Sequence, residues 1–171
     1  MTATRRGSAR VTLPSDREIL ITREFAAPAA LVFRAWTTPD LVRRWWGWES
    51  SPLVVCEIDL RPGGDWRYVT RDADGTELTW HGTYLEIDAP RRLVSTEVFG
   101  DNVDGGVQNI LTLTERDGVT SLAVTVVHRS KEHRDGHVAS GMERGLQHSL
   151  DRLDELTATD DCQPLDEREH R

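Results

Sequence analysis

No apolar run in these 171 residues approaches the roughly 20 that a membrane helix needs, so membrane insertion is not expected. Only two cysteines occur, Cys56 and Cys162, and they lie far apart, which excludes a disulfide framework. Cys56, within LVVCEI, reads as a small buried residue, and Cys162 falls in a polar tail. Both are expected to be free thiols in a reducing compartment. Lysine and arginine (21) are outnumbered by aspartate and glutamate (29), and the net charge of −8 excludes the basic stripe that nucleic acid requires. The segment MTATRRGSARVTLPS has basic residues but no apolar core, so it is not a secretory signal, and the cytoplasm is the expected location. A phosphate-cradling glycine loop is missing: Arg61-Pro62-Gly63-Gly64 precedes a strand, not a helix. There is no Gly-x-Ser-x-Gly elbow, no paired-cysteine metal spacing and no zinc-protease helix. No metal or cofactor is implied.

What the chain does have is tryptophan: six residues, in a sequence only 37% hydrophobic. Each buried aromatic ring removes about 150–250 Å² from water. Six of them in a chain of one-domain length are either core wedges or the wall of a cavity for an apolar ligand. A chain of this size supports a core without staples.

Residues 1–15 are small and polar and predict a loose arm. A strand follows from Arg17 to Phe25, with Ile19, Ile21 and, less regularly, Phe25 as its apolar members. Pro28 fits the first turn of a helix carrying Leu31, Val32, Ala35 and Trp36. Thr38-Pro39-Asp40 starts a second helix, which carries Leu41, Val42, Trp45 and Trp46 and stops at Gly47. Six further strands are predicted: Leu53 to Asp59, Asp65 to Arg71, Glu77 to Ile87, Arg92 to Phe99, Val107 to Glu115 and Thr120 to His128. Asp117-Gly118 is a two-residue hairpin signal. Ser130 caps a last helix, in which Val138, Met142, Leu146, Leu150, Leu153 and Leu156 recur every three or four residues over about seven turns, or ~40 Å. Gly141 and Gly145 interrupt it and mark a close approach or an opening. Residues 159–171 are acidic and read as a disordered tail, leaving 16–158 as the domain.

This α+β order, with seven antiparallel strands, two short helices after the first strand and a long C-terminal helix, resembles the START-like (SRPBCC) superfamily. Its helix-grip fold curves a sheet around that last helix. REFAAPAALVFRAWTTPDLVRRWWG, DLRPGGDWRYVTRDADGTE, HGTYLEIDAPRRLVSTE and SGMERGLQHSLDRLDEL are similar to the bacterial branch of the activator of heat-shock-protein-90 ATPase homologue family. The resemblance spans residues 17 to 158. It implies small-molecule binders, lipid carriers, polyketide cyclases or proteins that sequester a reactive natural product. The co-chaperone role belongs to eukaryotic members with an additional domain and is not carried over.

Alternation places Trp66, Tyr68 and Thr70 on one strand face, Trp80, Gly82 and Tyr84 on another, and Leu122, Val124, Val126 and His128 on a third. The opposite set His81, Thr83, Leu85 and Ile87 is also partly apolar, so the face of that strand stays open. The expected ligand contacts are Trp36, Trp45, Trp46, Trp66, Tyr68, Trp80, Tyr84, Leu111, Leu122, Val124, Met142 and Leu146. Trp45-Trp46 has two readings, a lid plugging the sheet or an aromatic gate. His133 and His137, four apart in the polar run KEHRDGH, read as a solvated first turn and not as metal ligands. Catalytic candidates are His81, Glu97 and His128. Glu97 is either a buried acid in the cavity or the partner of an arginine on the outer face.

Three functions compete. The first is a carrier or sequestering protein for an apolar, aromatic small molecule, which requires a cavity above roughly 300 Å³. The second is a cyclase- or dehydratase-type enzyme, which requires one of His81, Glu97 or His128 to point inward. The third is a dimeric interaction or stress-response modulator, favoured by exposed tryptophans on the second helix. The oligomeric expectation is monomer or homodimer.

Overall fold

The computed structural model describes residues 7–159; Cys162 and the tail from residue 160 lie outside them. β1 (Arg10–Ser15) and β2 (Glu18–Phe25) form a hairpin, followed by α1 (Ala29–Thr37) and α2 (Pro39–Trp45). Then come β3 (Leu53–Ile58), β4 (Asp65–Arg71), β5 (Glu77–Asp88), β6 (Arg92–Phe99), β7 (Val107–Arg116) and β8 (Val119–Val127). Two helices close the order, α3 (Lys131–Ala139) and α4 (Met142–Thr157). All neighbouring strands are antiparallel, in the order β1-β2-β8-β7-β6-β5-β4-β3.

The sheet therefore has eight strands, one more than the pattern predicts. The extra strand falls in the stretch expected to be a loose arm. Pro14 and the polar residues hide it, yet an edge strand tolerates proline because its outer N–H groups need no partner. Ala9 is buried, and its backbone exchanges hydrogen bonds with the side chain of Gln147 on α4. Asp117 and Gly118 both take positive φ, the type I′ geometry that joins β7 to β8.

Pro28 precedes α1 as its cap, one position earlier than expected, whereas Pro39 occupies the first turn of α2. Thr38 caps α2 without a side-chain hydrogen bond. The Ser130 hydroxyl does cap α3, accepting from His133 N at 3.2 Å.

The long last helix is in fact two. Gly141 adopts φ +81°, ends the first turn sequence after Ser140 and caps α4. The apolar period runs on across the break, so periodicity alone cannot reveal it. Nothing lies within 4 Å of a Cβ placed on Gly141, so only the left-handed backbone opposes a side chain there. Gly141→Ala is expected to lower stability by about 1–2 kcal/mol, read from urea unfolding. An unchanged midpoint would mean that the break relaxes freely.

α1, α2 and α4 cover the inner face of the sheet. Ile19, Phe25, Val32, Val42, Leu122, Leu150 and Leu153 form the fully buried centre. Cys56 is buried as expected, and burial pushes its thiol up to about 11, which leaves it a poor nucleophile at neutral pH. Among the described residues no helix is long and apolar enough to cross a membrane.

Candidate functional site

The site is built from alternation. Inward positions of β4 present Trp66, Tyr68 and Thr70, and those of β5 present Trp80, Gly82 and Tyr84. Register pairs Trp66 with Gly82 and Tyr68 with Trp80, so the missing side chain at Gly82 makes room for an indole. Trp66 Nε1 reaches across that gap to donate to the Thr96 carbonyl oxygen at 3.1 Å. A bulge between Tyr84 and Glu86 re-phases β5. Ile87 can therefore pack against the core although it lies three residues after Tyr84, and the strand's ambiguous alternation is resolved. Ser95 and Glu97 on β6, Asn109 and Leu111 on β7, and Val124 and Val126 on β8 continue the wall. Trp36, Trp45, Trp46 and Trp48 approach from the α1–α2 side, and His137, Met142, Leu146 and Leu150 from α3 and α4. They line a half-open cavity of about 480 Å³.

Adjacent positions at the end of α2, Trp45 in its last turn and Trp46 as its C-cap, divide the work of the two tryptophans. Trp45 is 3% exposed and its Nε1 donates to the Ala35 carbonyl at 2.9 Å, so it is anchored. Trp46 is half-buried and meets Tyr68 and Trp80 edge-on, with ring centres 5.3 and 4.8 Å away. Neither presents the exposed helix-two surface that a docking role would use. Trp48, 40% exposed, stacks on His148 at 4.6 Å over Gly145.

Of the twelve expected contacts, Trp36, Trp45, Trp46, Trp66, Tyr68, Trp80, Tyr84, Leu111, Val124, Met142 and Leu146 are in the cavity wall. Leu122 is not: it shares the face of Val124 but is sealed in the core, 1% exposed.

The polar candidates separate as sharply. His81 points to the other face of the sheet, beside Arg67, with Nε2 3.0 Å from the Gly100 carbonyl oxygen. Glu97 points inward, and no arginine pairs with it among the described residues. Asn109 Nδ2 donates to its Oε2 at 3.0 Å, and burial holds the carboxyl above its ordinary range despite that bond. His128 is buried behind the wall and not on it.

His128 Nδ1 donates to the Arg17 carbonyl at 3.0 Å, which leaves its Nε2 to accept from His137 Nδ1 at 2.9 Å. The solvated turn expected at His133 and His137 is thus half right: His133 is exposed, while His137 turns in and lines the cavity. Desolvation holds both imidazoles of the pair below the usual histidine value, with the neighbouring positive charge adding to it. Folding therefore opposes their protonation. Stability is full above about pH 6.5, the unfolded histidine value, and falls as pH drops through the lower folded values. The melting temperature is expected to fall between pH 7 and pH 5, and His137→Gln to flatten that slope. A wild-type slope equal to the variant's would remove the pair from the account. No group of three or more His, Cys, Asp or Glu is placed to hold a metal among the described residues.

Sequence reading missed Trp48, His137, Ser95 and Asn109. Trp48 stands outside any periodic segment, and the neighbours of His137 are all polar. Ser95 and Asn109 do sit at inward-alternating positions, which offered a usable signal.

Comparison with known proteins follows the same outline. The family model described as Activator of Hsp90 ATPase homolog 1-like protein matches residues 26–158. A solved protein from Rhodobacter sphaeroides is similar at 26% identity and a TM-score of 0.82, over 88% of this chain and 97% of that one. One from Mycobacterium smegmatis is similar at 27% identity and 0.77, over 87% and 96%. One from Nitrosomonas europaea is similar at 25% identity and 0.76, over 86% and 97%. No curated protein matches.

Proposed function

Starting from the fact that the chain belongs to the activator of Hsp90 ATPase homolog 1-like family, of START-like fold, we propose that it binds an apolar, partly aromatic small molecule between its sheet and its C-terminal helices, to carry or sequester it. One observation carries this reading. All six tryptophans and both tyrosines of the chain line a single cavity. A fold that needed them only as wedges would scatter them through the core. The volume, about 480 Å³, suits a drug-sized ligand. Trp46 serves as the gate and Trp45 as its anchor. The protein works in the cytoplasm, as monomer or homodimer, through a binding domain of residues 16–158 extended by β1.

Native mass spectrometry of the purified protein tests this. A small-molecule adduct that leaves on denaturation is expected, with Trp46→Ala lowering its retention about tenfold through the loss of one ring. Ligand-free protein that also fails to take up apolar aromatic probes would sink the reading.

A catalytic reading of the cyclase or dehydratase type rests on Glu97 alone, since His81 and His128 do not line the cavity. It requires the recovered ligand to be converted by the wild type and not by Glu97→Gln.

A further inference from the structure

We propose that the cavity selects an organic cation, a protonated amine on an aromatic or apolar body, with the ammonium seated against Glu97. This deepens the small-molecule reading and rests on it.

The charge inventory of the wall is one-sided. Among the described residues Glu97 is its single carboxylate, and neither lysine nor arginine lines it. The other titratable groups facing the cavity are Tyr68 on β4, Tyr84 on β5 and His137 on α3. The one hydrogen bond to Glu97 among the described residues comes from the Asn109 amide, which brings a donor but no charge, and it occupies only Oε2. A carboxyl so placed has two ways to meet its desolvation cost: hold a proton, or meet a cation.

The rings supply the second half of a cation site. Trp46 stands at 71° to Tyr68 and 76° to Trp80, so the three rings meet edge-on in a corner of the wall, and aromatic rings attract a cation. An anionic ligand would find no counter-charge here and would repel Glu97. A neutral ligand would bring the acid no counter-charge. Burial raises the Glu97 carboxyl, and an ammonium seated beside it would offset that desolvation. Desolvation holds His137 below the usual histidine value, so this wall residue does not oppose a cation near pH 7.

Calorimetry with three isosteric probes, 1-naphthylmethylamine, 1-naphthalenemethanol and 1-naphthoate, decides the matter at pH 7. The amine is expected to bind at least about tenfold more tightly than the alcohol, and the carboxylate most weakly. In Glu97→Gln the amine is expected to fall to the affinity of the alcohol while the alcohol is unchanged. Equal affinity of amine and alcohol for the wild type overturns the cation assignment and leaves the cavity reading standing, as does an amine preference that survives in Glu97→Gln. Wild-type protein that binds none of the three overturns both readings. The wild-type ratio needs no variant, so misfolding of Glu97→Gln cannot obscure the result.

Discussion

Replacing Arg23 with methionine is expected to cost about 3–5 kcal/mol of folding free energy. Arg23 occupies an inward position of β2, between Ile21 and Phe25, where the strand otherwise buries apolar side chains. Its side chain is 1% exposed and donates to Asp151 at 2.6 Å and to Asp154 at 3.1 Å, both on α4. Asp151 also accepts from the Gly7 backbone, so the cluster ties the first described residues to the last helix. Methionine fills much of the volume but strands two carboxylates in a place poor in water, and that desolvation is the main loss. Urea unfolding should show a lower midpoint with an unchanged slope. The deficit should narrow at acid pH, where protonation relieves the stranded acids. Replacing Arg23, Asp151 and Asp154 together by Met, Leu and Leu should recover most of it, because no buried charge remains. A single R23M variant within 1 kcal/mol of wild type would show that water reaches the cluster.

The second large effect is expected at Gly82. A Cβ there would stand 1.8 Å from the Thr96 carbonyl oxygen, 2.6 Å from its carbon and 2.8 Å from Trp66 Nε1. The first two are backbone atoms of the adjacent strand and cannot swing away. Gly82→Ala must part β5 from β6 or break the Trp66–Thr96 hydrogen bond, at a cost of about 3 kcal/mol. For a domain of this size that lowers the melting temperature by about 10 °C. Gly145→Ala is the matched control. Its Cβ would meet Trp48 at 3.6 Å, ordinary contact, and helix propensity should favour the change by up to about 1 kcal/mol. Equal melting temperatures for the two variants would refute the steric account.

Most of the sheet was legible because its strands obey period two and their turns carry glycine or proline. Asp65–Arg71 and Arg92–Phe99 were predicted to the residue. The failures share a cause: each depends on something other than local pattern. β1 is held by its partner β2, and the residues leading into it by α4, while its sequence resembles a tail. The α3–α4 break is a single left-handed residue inside an unbroken apolar rhythm. Arg23 sits on an apolar face because α4, 128 residues later, supplies its counter-charges. The aromatic wall could be read from alternation. Which polar groups join it could not, since Glu97, His81 and His128 all occupy plausible strand positions and only the bulge and packing choose among them.

The gathering of every tryptophan and tyrosine around one space also decides how the protein handles light. Its near-ultraviolet absorbance and emission originate at a single address. Rings about 5 Å apart pass excitation among themselves, so one quenching guest darkens most of the signal at once. The intrinsic glow would thus gauge occupancy by the proposed ligand, nearly blind to the outer face of the sheet. A thermal transition followed by emission reports the moment the aromatic chamber opens, and far-ultraviolet dichroism reports the loss of strands. If the two curves separate on heating, the chamber yields before the sheet does.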